Sequence, residues 1–140
     1  MCKDRSLTTG GDDGCESTGA EKVLLHNFAG RVSVARLAAE HGFFMSFPPV
    51  VVNKPERSKL IKYLPLANLC LETDSPALGK EKGTRNEPVY ISEACQYIAK
   101  LKAVDCSVIS CSALQNTCDL FNLPKHEYVY SCALASGATT

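Results

Sequence analysis

Two side chains able to bind a metal or carry a proton stand directly after short apolar runs. Asp74 follows Leu69-Cys70-Leu71 by way of Glu72 and Thr73, and Pro76 then ends any regular strand pairing. The run from Asn68 to Leu71 is almost wholly apolar, the pattern of a parallel strand buried on both faces. A carboxylate at the C-terminal tip of such a strand is where α/β proteins place ligands, metals and catalytic groups. The same residue type also begins turns and caps helices. His26 stands in the same relation to the stretch Lys22 to Leu25. A lone histidine after a strand is often structural. Paired with a carboxylate on a neighbouring tip, it fits the way inner-ring metal sites of (β/α) barrels are built.

The elements that must position these residues follow from hydrophobic period and turn chemistry. Lys22 to Leu25 read as a first strand. Ser33 is placed to cap a helix carrying Val34, Leu37 and Ala38 inward, with Gly42 closing it and His41 at the negative end of its dipole. Phe43 to Phe47 make a second strand, stopped by Pro48-Pro49. Pro55 suits the first turn of a short helix with Leu60, Ile61 and Leu64 inward, which leaves Arg57, Lys59 and Lys62 on a solvated side. After the third strand and a polar loop, 80–88, a helix runs from about Ser92 to Lys102 on Ala94, Cys95, Ile98 and Leu101. Asp105 is placed to cap the last helix, with Val104 and Ile109 as a hydrophobic staple and Leu114, Cys118 and Phe121 inward. Strands alternating with helices imply an α/β fold with parallel strands and right-handed crossovers.

Composition limits the alternatives. A chain of 140 residues allows one domain with a real core. Fifteen basic and fifteen acidic residues cancel, so no whole-chain field draws it to nucleic acid or membrane. A phosphate substrate stays open, because a bound metal supplies local positive charge. No apolar run approaches a membrane span, and 1–19 is polar and glycine-rich rather than signal-like, so the expected location is intracellular, cytoplasmic or nuclear. Of the 8 cysteines, no two have zinc-knuckle spacing. The expectation is that all are reduced and serve as small buried hydrophobes. Residues 1–19 read as a flexible leader and 124–140 as an irregular tail, leaving 20–123 as the domain.

Three stretches carry a family resemblance: VLLHNFAG at 23–30, LCLETDSPALG at 69–79 and RNEP at 85–88. Together, in this order and spacing, they resemble signatures of the TatD family of metal-dependent deoxyribonucleases. FFMSFPP at 43–49 and QN…LF at 115–121 support the likeness, which runs from about Ala20 to Phe121. The resemblance implies the last three strand–helix units of a TIM-type (β/α)8 barrel and phosphodiester hydrolysis at a divalent-metal centre of magnesium, manganese or zinc. It matches His26 to the family's metal-binding histidine on the sixth strand. It matches Asp74 to the acidic residue of the last strand, both metal ligand and base for the attacking water. Arg85, Asn86 and Glu87 match a loop near the site, in supporting roles. The implied partner is DNA or another phosphoester.

Family members also carry a His-x-His pair on the first strand, a Glu on a middle strand and a His on the fifth. Here the other histidines are His41 and His126, neither at a strand tip. A whole barrel needs about 250 residues, so the expectation is a C-terminal part whose open strand edge invites self-association and whose isolated nuclease activity is poor. The alternative expectation is a catalytically inactive truncated product that acts by binding. A small zinc module built on the cysteines is the third.

Overall fold

The computed structural model describes residues 22–79 and 83–124. The expected leader, and the tail beyond Pro124, lie outside the described residues. Three short parallel strands lie side by side in chain order: β1 (Leu24–Leu25), β2 (Phe44–Phe47) and β3 (Leu69–Leu71). Leu25 is level with Met45, Met45 with Leu69, and Phe47 with Leu71. Four α-helices follow the expected alternation: α1 (Val32–Glu40), α2 (Ser58–Tyr63), α3 (Ile91–Lys102) and α4 (Cys106–Phe121), with 3-10 turns between. None of the described helices is long and apolar enough to cross a membrane.

The core lies where sheet and helices meet. Met45, Phe47 and Leu69 from the strands close on Ile61 of α2, on Leu64 just after it, and on Ile98 and Ile109 of α3 and α4, all fully buried. Leu60, Ile61 and Leu64 point inward as their spacing requires. Ala94, Cys95 and Ile98 do so from α3, with Ala99 buried beside them and Leu101 packed partly buried against the same core. Buried polar side chains bind the layers: Asn116 Nδ2 of α4 donates to the carbonyls of Leu66 and Leu69, each at 2.7 Å. Asn68 Nδ2 donates to the Phe43 carbonyl at 3.0 Å. Asp105 caps α4 as expected, accepting the Ser107 N–H at 2.8 Å. Gly42 takes φ +74 just past α1, the left-handed conformation that ends helices and that side chains with a Cβ resist.

Four expectations are corrected. Arg31 rather than Ser33 is the N-cap of α1, and no side chain caps it. With the helix starting earlier, Ala35 and Ala38 are buried while Val34 and Leu37 face outward. Leu114 and Phe121 are also exposed; Ala113, Asn116 and Cys118 form the inner face of α4 instead. The small residues fill these inner faces, where α1 packs against α2 and α4 against β3 and α3. Cys70, Cys95, Cys106 and Cys118 are free thiols, but Cys111 is disulfide-bonded, so the cysteines are not all reduced. Cys70 does behave as a buried hydrophobe, and burial pushes its thiol up to about 11.

Candidate metal centre

The chain leaves β1 and β3 at the same end of the sheet, because the strands are parallel. This puts His26, one residue past β1, against Glu72 and Asp74, just past β3. His26 Nδ1 lies 2.5 Å from Glu72 Oε2, and Nε2 lies 2.9 Å from Asp74 Oδ1. One ligand atom from each of the three residues falls within 4.8 Å of the others. The imidazole is open to solvent, its side chain 63% exposed, whereas the carboxylates are 13% and 15% exposed.

Glu72 is the most tightly held of the three. Its Oε1 accepts the Asn27 N–H at 2.9 Å, and its Oε2 accepts the Ser46 hydroxyl. Asn27 presents that N–H from a left-handed turn, φ 46, and its side-chain oxygen accepts from Arg57 at 2.8 Å. Arg57 is therefore half-buried and tied to the site rather than on a solvated face. With Oε2 accepting from Nδ1–H, the neutral imidazole presents an Nε2 lone pair to Asp74 Oδ1, itself an acceptor. Two acceptors at 2.9 Å repel unless a proton or a cation lies with them. Asp74 Oδ2 is buried and has no hydrogen-bond partner. An imidazole nitrogen and two carboxylates gathered together, one carboxylate oxygen still unpartnered, suit a divalent ion.

Glu72 is the residue that strand-tip reasoning passed over. The available signal was alternation: in an extended segment, residues two apart share a side, so Glu72 accompanies Asp74. Among the loop residues 85–87, Asn86 is buried, its N–H donating to the Pro76 carbonyl at 3.0 Å. Its side-chain amide, like the hydroxyl of Ser75, has no partner. Arg85 and Glu87 are exposed and line a cleft of about 380 Å³ with Ser75, Pro76 and Asn86. None of the three touches His26 or the Asp74 carboxylate through a described hydrogen bond; the loop reaches the site through the backbone around Pro76.

A parallel α/β layer with imidazole and carboxylates gathered at the C-terminal strand ends defines the class of barrel-type proteins with a metal-capable centre. The sequence matches the family described as TatD related DNase over residues 12–122, and the chain belongs to that family. It is 47% identical over 111 residues to the human protein named deoxyribonuclease TATDN3, covering 79% of this chain and 40% of that one. It is 48% identical over 104 residues to the zebrafish (Danio rerio) putative deoxyribonuclease tatdn3, covering 74% of this chain and 39% of that one. The chain thus spans about two fifths of these relatives' length. Among solved structures, the TatD homolog YJJV of Escherichia coli superposes with a TM-score of 0.66 at 28% identity, over 72% of this chain and 40% of that one. These neighbours are TIM-type barrels, so the fold is α/β and the three strand–helix units are part of such a barrel.

Proposed function

We propose that this chain contributes the His26–Glu72–Asp74 side of a divalent-metal centre that hydrolyses phosphodiesters, DNA being the substrate class. The observation that carries this reading is the convergence of three ligand-capable side chains, with one buried oxygen of the cluster, Asp74 Oδ2, left without a partner. Relatives named deoxyribonuclease or metal-dependent hydrolase support it. His26 offers Nε2 and Asp74 offers its carboxylate oxygens as ligands, and the donor set suits zinc, manganese or magnesium. When bound, the ion supplies positive charge that polarises water and the phosphoryl oxygens.

The remaining work belongs to the chain's own residues. Asp74 takes the proton of the attacking water at a carboxylate oxygen, one of which has no other partner. Glu72 holds the proton on Nδ1 and so keeps the Nε2 lone pair free, the role that carboxylates play behind ligating histidines. Asn27, Ser46 and Arg57 hold Glu72 in place. Asn86 supports the turn after Asp74 through its backbone bond to Pro76.

The test is calorimetric titration of the full 140-residue chain with manganese, magnesium and zinc, followed by cleavage assays on single- and double-stranded DNA. Metal binding that His26→Ala and Asp74→Ala both abolish is the expected result. Equal binding by those variants would remove the reading. Cleavage that needs metal and is lost in both variants extends it to catalysis by this chain. Binding without cleavage leaves the chain a metal-binding part only.

A further inference from the structure

Away from the His26 cluster, a groove of about 510 Å³ opens between α3 and α4, with Leu71 of β3 among its lining residues. Two thiols share its wall: Cys95 on α3 and Cys106, the first residue of α4. Both are free, and their sulfur atoms are 3.0 Å apart. That is roughly 1 Å beyond the ~2.05 Å length of a disulfide bond. A cysteine serving only as a small hydrophobe is satisfied by any carbon neighbour. Here each sulfur meets the other, on two helices joined by a turn through the left-handed Ala103.

We infer that Cys95 and Cys106 form a thiol modification site that reacts with oxidants of the peroxide class and closes to a disulfide stapling α3 to α4. Cys106 is the more accessible of the two, whereas Cys95 is 6% exposed. Burial, together with its hydrogen bond to Cys106, pushes the Cys95 thiol up to about 12, so Cys95 keeps its proton and the first attack falls to Cys106. The Cys106 sulfur attacks one peroxide oxygen, the O–O bond breaks, and the departing hydroxide takes the thiol proton as water. Cys106 is left as the sulfenic acid. The Cys95 sulfur then attacks the Cys106 sulfur. The S–O bond breaks, the hydroxide leaves with the Cys95 proton as a second water, and the S–S bond forms. In all, two thiols lose two electrons and two protons, and one peroxide becomes two waters. A thiol reductant reverses the step by exchange.

The experiment reads the bond directly. Trypsin cuts after Lys100 and Lys102, between the two cysteines, so the closed pair appears as residues 86–100 joined to 103–125, the latter also carrying the peptide held by the Cys111 disulfide. The full chain is treated with hydrogen peroxide, alkylated, digested and mapped by mass spectrometry with fragmentation. The expected result is the joined peptide with the bridge at Cys95 and Cys106, gone after dithiothreitol and absent from Cys106→Ser. Two outcomes overturn the inference: no joined peptide while other thiols are oxidised, or Cys95 bridged to Cys111 or Cys118. The wild-type map decides even if Cys106→Ser fails to fold. Cys118→Ser, which leaves both sulfurs in place, should still give the joined peptide.

Discussion

The two ends of the three-stranded sheet treat polar groups in opposite ways. At the end where the strands begin, buried amides meet carbonyls: Asn116 donates to Leu66 and Leu69, and Asn68 to Phe43. Each such pair replaces water with a partner of complementary polarity, and each holds a helix or a turn against the sheet. Where the strands end, acceptors are gathered instead. His26 and two carboxylates converge, and Asp74 Oδ2 has no partner. His26 Nε2 and Asp74 Oδ1, 2.9 Å apart, require a proton or a cation between them, and Oδ2 is buried besides. The first end is built for stability, and the second retains a cost that a cation would offset. In barrel proteins the same division separates the two faces, function lying at the C-terminal one.

Substitutions at the two ends should therefore read out in different assays. The largest effect is expected from Asp74→Ala, a loss of more than ~100-fold in divalent-metal affinity, beyond what a supporting residue costs. Its melting temperature should be unchanged or higher, because a buried carboxylate with one partnerless oxygen goes with it. A stability loss without an affinity loss would make Asp74 structural and erase the contrast.

Asn116→Ala should do the reverse. Two buried hydrogen bonds disappear, costing about 2 kcal/mol by denaturant titration, with metal affinity as in the parent chain. Should the metal affinity fall as well, the two ends are coupled through β3.

Glu72→Gln sharpens the comparison within the site. The amide keeps the shape but can present an N–H to the imidazole, so the Nδ1 proton is no longer held. Metal affinity should drop about tenfold, and the imidazole ¹⁵N shifts of His26 should show the Nδ1–H form losing its dominance. A purely structural Glu72 would leave those shifts in place.

The smallest effect concerns the surface cap of α4. The hydrogen bond from Ser107 holds the Asp105 carboxyl below its ordinary value. A depressed carboxylate pKa adds stability that is present above the unfolded-state pKa and is lost as pH falls through the folded one. Asp105→Ala should thus lower the melting temperature slightly near neutral pH. The difference from the parent should vanish in acid below the folded pKa. A difference that persists there would mean that the cap acts through something other than its charge.

Much of this protein was legible in one dimension because its signals are local. Apolar runs of strand length, Gly42 after α1, Asp105 before α4 and the inward stripe Leu60–Ile61–Leu64 each depend on neighbours a few residues away. His26 and Asp74 were legible as candidates because each closes an apolar run. Other features needed the third dimension. Which face of α1 and α4 turns inward depends on what each helix packs against, α2 for α1 and β3 with α3 for α4, and Ala35, Ala38 and Ala113 fill those faces while Leu37 and Leu114 stay exposed. Glu72, Ser46, Asn27 and Arg57 became one hydrogen-bonded set only when parallel pairing brought the ends of β1, β2 and β3 level. The sulfur pair of Cys95 and Cys106 likewise required α3 and α4 to fold back on one another. Residue types and their periods determined the elements and the candidate chemistry. Distances between groups far apart in the chain were decided by packing, because strand register and helix approach are set by the whole core at once.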